Sequence, residues 1–382
     1  MKITVAPDSF KGSLDAYEVA LAIKRGVLTA LPWADVITVP IADGGEGTCD
    51  ALINATGGRW VEAACQGPLL KPVTARYGIL PTGTAVIEMA SASGLTLIKS
   101  DERNPFFTTS RGFGELILDA VRGGCRELLL CIGGSATNDG GVGMLSALGF
   151  RFLKENGEEI DDGCIGLKDL KKIDTSGVLP TLSECKITVL CDVTNPLVGE
   201  NGCSQVFAPQ KGARPEDIPI MDGYLRRLAR LTQKIYPSAD ENAAGTGAAG
   251  GVGFALMAYL GAVLTPGIDT VIKTVGLEEH VKVSDLVIVG EGRMDGQSAM
   301  GKAPVGVAKI AKKHGKSVIA IAGGLAEGYE ECRAFGIDAL FPAVRAPISL
   351  DAAMNSENAK INLEKAAREA IEAVKIGFLL QK

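Results

Sequence analysis

Histidine is nearly absent. The 382-residue chain holds two, His280 and His314, both in Lys- or Glu-rich stretches that read as solvated helix surface. Histidine general-base chemistry is thereby set aside, and acid–base work falls to Asp or Glu. Cys-x-x-Cys pairs are missing too. The nine cysteines are odd in number and scattered, which argues against a zinc site or a disulfide framework and for reduced thiols in a cytoplasmic protein. No Lys/Arg run occurs and the net charge is −6, so a general nucleic-acid binder is excluded. No apolar run is long enough to cross a membrane. The first residues, Met1-Lys2-Ile3-Thr4-Val5, read directly as a strand with no signal-peptide core. Repeats and low-complexity segments are also absent.

Hydrophobic residues make up 46% of the chain, enough for full cores, and the length suggests roughly two domains. The most informative stretch is Ile132–Gly143, Ile-Gly-Gly-Ser-Ala-Thr-Asn-Asp-Gly-Gly-Val-Gly. The apolar run Leu128–Ile132 before it reads as a buried strand, and Met144–Phe150 after it as a packed helix. A glycine-rich turn between strand and helix lets the backbone approach a ligand and aims helix N–H groups at an anion. Ser135, Thr137, Asn138 and Asp139 add polar side chains to the same turn.

Earlier, Lys2–Ala6 reads as a strand and Pro7–Gly12 as its turn. Ser13 is the expected N-cap of a helix whose buried stripe is Val19, Ile23 and Val27. Val36–Ile41 reads as a second strand, ending in the glycine–acid turn Ala42–Thr48. This βαβα order implies a parallel sheet, with ligands at the C-terminal strand ends, where Asp8, Lys11, Asp43 and Glu46 fall. From Trp60 the texture becomes a meander of short strands, Trp60–Gln66, Val73–Leu80 and Ala85–Ala90. Ser110–Gly123 reads as a helix with Phe113, Leu116, Ile117 and Ala120 inward. Glu155-Asn156-Gly157 reads as a type I′ hairpin turn. Ile187–Cys191 reads as a strand ending in Asp192-Val193-Thr194-Asn195, and Pro215–Tyr236 as a basic amphipathic helix.

Two glycine patterns invite rival readings. Gly245–Gly250 matches the dinucleotide fingerprint, which would make the chain an NAD-dependent oxidoreductase. A helix is expected before it where the fingerprint needs a strand. Gly296–Lys302 matches a P-loop up to its lysine, but Ala303 stands where Ser or Thr would hold magnesium. Lys302, at a helix start, is still placed to meet a phosphate. A non-catalytic nucleotide sensor is the third reading. After Ser284 the α/β texture returns, with strands at Asp285–Val289 and Lys316–Ile321 and a terminal helix at Glu357–Ile376. The expected architecture is α/β in two domains. Residues 1–60 plus 284–382 form a discontinuous Rossmann-like parallel-sheet domain, and 61–283 an inserted mixed α/β domain, with a cleft between them and no P-loop.

Six ordered stretches together resemble the type I glycerate kinase family: Ala6–Gly12, Ala42–Thr48, Gly133–Gly143, Cys191–Pro196, Gly245–Gly253, and Gly290–Asp295 with Gly301–Pro304. The resemblance covers essentially the whole chain. It implies ATP- and Mg2+-dependent phosphorylation of D-glycerate, with 2-phosphoglycerate as the associated product. Spacing does not reveal the regiochemistry, so 3-phosphoglycerate, or another small hydroxy acid as substrate, stays open, as does the oligomeric state. Phosphoryl transfer needs cations on the transferring group, a carboxylate for the attacking hydroxyl, and magnesium on oxygen ligands. The expected cations are Lys11, Arg293 and Lys302, with Arg293 gripping the glycerate carboxylate. Asp295 is the expected base and Asp192 the magnesium ligand, or the reverse, with Asp139 a further metal ligand. Asp8, Ser9, Asp43, Glu46, Glu291 and Arg293 are expected around the substrate. Gly133, Gly134, Ser135, Asn138, Asp139, Gly140, Asn195 and Lys302 are expected around the nucleotide phosphates.

Overall fold

The structure is a computed structural model that describes residues 1–380. The chain divides into two compact units. One comprises Met1–Asp43, Asp50–Gly57 and the chain from Gly267 onward; the other comprises Gly44–Cys49 and Gly58–Pro266. Strands β1 (Lys2–Pro7) and β2 (Asp35–Thr38) open the chain. Strands β3 (Arg59–Gln66), β4 (Pro72–Ile79), β5 (Ala85–Glu88), β6 (Glu127–Cys131), β7 (Arg151–Leu153), β8 (Lys172–Asp174), β9 (Lys186–Leu190) and β10 (Val263–Thr265) follow. Strands β11 (Leu286–Met294), β12 (Ser317–Leu325) and β13 (Ala339–Pro342) close it.

The first unit holds an all-parallel sheet in the order β13-β12-β11-β1-β2. Its central strands are continuous apolar runs because helices cover both faces. Ile3, Val5, Ile288 and Ile321 share one core with Ile23 of the helix Ala16–Ala30 and with Leu363 and Ile371 of the helix Ser356–Leu380. The helix Ala303–Lys313 packs on β11 and β12. Asp15, not Ser13, caps the helix Ala16–Ala30, accepting from Glu18 N while Glu18 returns the bond to the Asp15 amide. The helices Gly267–Thr274 and Leu277–Lys282 belong to this unit although they precede residue 284. They turn Val271, Ile272, Leu277 and Val281 inward and pack against the helix Ala303–Lys313. His314, read as solvated, is partly buried with Nε2 2.7 Å from Glu278 Oε1.

The chain leaves β1 toward β2 on one side and returns to β11 on the other. The C-terminal ends of β1 and β11 therefore flank the point where strand order reverses, the crevice such sheets offer to ligands. Strand β11 also runs further than the sequence suggests. It pairs with β12 through Met294, so Glu291 and Arg293 ride on a strand and not on a flexible turn.

The second unit holds a six-stranded sheet in the order β10-β9-β6-β5-β4-β3. Strands β3, β4 and β5 form the antiparallel meander, while β5, β6, β9 and β10 run parallel. Phe113, Leu116, Ile117 and Ala120 of the helix Arg111–Arg122 are fully buried, as their spacing requires. Gly44–Cys49 joins this unit because Cys49 N donates to Glu88 and Cys49 Sγ donates to Val86 O. The turn at Glu155–Gly157 is not type I′. Glu155 and Asn156 keep negative φ, and only Gly157 is left-handed. Residues 234–247 are mostly turns, so no helix leads directly into the Gly245 stretch. Among the described residues no helix is long and apolar enough to cross a membrane.

Candidate active site

The first unit has a cavity of about 540 Å³ at the reversal point, lined by Asp8, Lys11, Glu291, Arg293, Asp295 and Lys302 among others. The strand ends supply these residues: Asp8 follows β1, and Glu291 to Asp295 finish β11. Asp8 is buried. One of its oxygens accepts Ser9 N at 2.6 Å, and its other oxygen has no partner among the described residues. Burial first, then the neighbouring Asp43 charge, pushes its carboxyl up to about 7; the Ser9 N–H and Lys11 oppose this. Lys11 Nζ stands 3.1 Å from Asp43 Oδ2. Burial works to lower the Lys11 pKa, but the Asp43 and Asp8 charges outweigh it and leave the group above its ordinary value.

On the β11 side, Glu291 accepts from Lys302 Nζ at 3.1 Å and from Ser298 Oγ at 2.8 Å. Lys302 is the N-cap residue of the helix Ala303–Lys313. Asp295 takes Gln297 N at 2.9 Å on one oxygen and holds Arg293 Nε 3.6 Å from the other. The Arg293 side chain is 73% exposed, so its guanidinium stays available to an anion. The site thus combines three cations, a poised carboxyl and further carboxylates at one sheet edge.

In the second unit the Gly133–Gly143 loop follows β6. Asp139 lies at zero exposure within it and accepts from Ser110 N, Ser110 Oγ, Gly141 N and Gly143 N. Burial pushes its carboxyl up; those four donors pull against it. The N–H groups at the start of the short helix Val142–Ala147 are therefore spent on Asp139, and Met144 N on Ser110 Oγ. This corrects the expectation that the helix start awaits a phosphate. Both oxygens of Asp139 carry donors, one N–H on Oδ1 and three groups on Oδ2. Gly133 and Gly134, by contrast, are exposed, and their N–H groups have no acceptor among the described residues.

The Gly245 stretch is accounted for by this loop. Ala249, Gly250 and Gly251 are consecutive left-handed residues, and Gly250 O accepts Gly140 N at 2.9 Å. A Cβ on Gly250 would lie 2.1 Å from Thr137 O, so only glycine allows that approach. The apparent dinucleotide fingerprint is a packing device.

The comparisons with known proteins place the chain in a family. The family model described as Glycerate kinase family matches residues 3–375. The chain belongs to the glycerate kinase family. It is 48% identical over 379 residues to "Glycerate 2-kinase" of Escherichia coli (strain K12), covering 99% of each chain. It is 47% identical over 377 residues to "Glycerate kinase" of Bacillus subtilis (strain 168), covering 98% of each. The crystal structure of a candidate glycerate kinase 2 from Salmonella typhimurium LT2 superposes with a TM-score of 0.90 at 46% identity, covering 99% of both chains. The protein is an enzyme of this family.

In this glycerate kinase, Asp8, Ser9, Lys11, Glu291, Arg293, Asp295 and Lys302 meet at one cavity, and Asp43 reaches it through Lys11. Glu46 is exposed and falls in the second unit. Asp192 is exposed just past the end of β9, and Asn195 Nδ2 donates to Asn201 O at 2.9 Å. Asn138 is fully buried, donating to Ser204 Oγ at 2.9 Å. Sequence reading missed Ser110, which anchors Asp139, and Lys211, which is buried beneath the glycine loop. Neither sits in a recognisable local pattern. It also missed the apolar cavity wall of Val344, Leu350 and Met354.

Proposed function

We propose that this family member transfers the γ-phosphoryl group of ATP to D-glycerate in the cytoplasm, giving 2-phosphoglycerate and ADP. The observation that carries this is the near-identical length and 48% identity shared with a glycerate 2-kinase. The cavity chemistry supports it. Glycerate is a carboxylate with two hydroxyls, and a three-cation, multi-carboxylate cavity suits both parts.

We assign Arg293 and Lys11 to the glycerate carboxylate, Arg293 offering a bidentate fork. Ser9 and Asp43 complete the surroundings of the substrate. Asp8 is assigned as the proton acceptor in preference to Asp295. One oxygen of Asp295 is held in its own turn and the other faces Arg293, whereas Asp8 has an oxygen to spare. The C2 hydroxyl oxygen then bonds to the γ-phosphorus, its proton passes to Asp8, and the bond from phosphorus to the ADP oxygen breaks. Lys302, held by Glu291, neutralises charge on the transferring group. Gly133, Gly134, Ser135 and Asn195 are assigned to the nucleotide phosphates.

Among the described residues no group of three metal-ligating side chains stands together. Magnesium carried by nucleotide phosphates needs only one or two carboxylates, a demand the exposed Asp192 fits. When bound, magnesium neutralises phosphate charge.

The test is a coupled ADP-release assay with ATP, magnesium and D-glycerate, the product identified by phosphorus NMR. Release of ADP with 2-phosphoglycerate supports the proposal. Formation of 3-phosphoglycerate keeps the kinase and overturns the regiochemistry. No ADP release from folded protein overturns the substrate.

A further inference from the structure

A lysine that no carboxylate neutralises backs the glycine loop. Lys211 ends the turn Pro209–Lys211 and is 2% exposed. Its Nζ donates to Ser135 Oγ at 3.0 Å and to Thr137 O at 2.7 Å, and it has no ion-pair partner among the described residues. Burying an ammonium with only neutral oxygens around it is unfavourable. The ionisable groups nearest in influence are the Cys203 thiol and Asp139, whose oxygens Ser110, Gly141 and Gly143 already occupy. Directly in sequence before Ser135 stand the exposed Gly133 and Gly134 with their open N–H groups.

A serine hydroxyl has one proton and two lone pairs, and lysine can only donate. A bond from Lys211 therefore fills a lone pair of Ser135 Oγ and leaves that hydroxyl's proton free to donate. We propose that Lys211 is a positioning residue for the nucleotide: it commits the Ser135 hydroxyl to donate to a phosphoryl oxygen seated at Gly133–Ser135, and that oxygen supplies the counter-charge Lys211 lacks. This rests on the loop being the nucleotide site. Burial draws the Lys211 amine down to about 8, so phosphate binding and protonation of this lysine are linked.

The test is calorimetric titration of the full-length protein with ADP and magnesium, with thermal unfolding to certify folding. Lys211→Met and Ser135→Ala each weaken ADP binding by about tenfold or more, and the double variant loses little beyond the worse single variant, because the lysine acts through the serine. Wild-type affinity falls about tenfold from pH 7 to pH 9, where an amine titrating near 8 is mostly neutral. Lys211→Arg, which stays charged, binds at pH 7 and lacks that fall. Unchanged affinity in Lys211→Met, additive losses in the double variant, or a wild-type affinity flat to pH 9 each overturns the inference. The last measurement decides the matter if Lys211→Met does not fold. Gly133→Asp separates the two levels. If it abolishes binding while Lys211→Met does not, the loop reading stands and the lysine role falls. If Gly133→Asp binds ADP like wild type, the loop reading itself falls.

Discussion

Replacing Asp8 by Asn should make the protein less active and more stable at once. In the folded state the Asp8 carboxyl ionises at about 7 in place of its ordinary 3.8, because burial and Asp43 disfavour its charge. Above pH 7 the folded state therefore carries a penalty on the order of 4 kcal/mol for holding that charge, at about 1.4 kcal/mol per pH unit. The sign follows from linkage. The folded pKa is raised, so the stability contribution is complete below about pH 4, declines as pH rises, and is lost once pH passes about 7. The neutral amide of the Asp8→Asn variant avoids the ionic penalty but remains a buried polar group, so a gain of about 1–3 kcal/mol is expected at pH 8. The gain should shrink steadily as pH falls toward 4. Activity moves the other way. Loss of a general base lowers kcat by about 10²–10⁴-fold. In the wild type, kcat/KM should fall about tenfold per unit as pH drops below 7. Thermal unfolding from pH 4 to pH 8, beside coupled ADP release at saturating D-glycerate, reads both effects. Asp8→Asn with kcat within about threefold of wild type would refute the base assignment. A stability difference independent of pH would refute the claim that Asp8 is a buried charge.

Three further outcomes follow from the geometry. Arg293→Ala removes the exposed guanidinium and should raise the D-glycerate KM by about tenfold or more while ATP binding holds, measured by initial rates against each substrate. Gly250→Ala forces a Cβ to within 2.1 Å of Thr137 O at a left-handed backbone position, so a loss above about 3 kcal/mol is expected in denaturant unfolding. Asp139→Ala strands four donors inside the second unit and should cost about 3–5 kcal/mol by the same measurement, with no need for ligand to reveal it.

Much of this protein is legible in its residue order. Apolar runs such as Val287–Val289 and Leu128–Leu130 announce buried parallel strands, because both faces of such strands are covered and no alternation survives. The polar residues after those runs fall at strand ends for the same reason, so the residue order alone marks out Asp8, Lys11, Glu291, Arg293, Asp295 and Lys302. The near absence of histidine directs attention to carboxylates. Tertiary structure alone decided the surroundings of each carboxylate. Asp8, Asp139 and Asp295 all stand beside glycine or serine in similar turns, yet one is buried with a spare oxygen, one is saturated by four donors, and one is held beside an arginine. Those differences come from partners far along the chain, Asp43 for Asp8 and Ser110 for Asp139, which no local spacing encodes. Lys211 is the clearest case. Nothing in Pro209-Gln210-Lys211-Gly212 sets it apart from a surface lysine, and only the fold, which brings it beneath residues more than seventy positions earlier, makes it a buried charge in need of an anion.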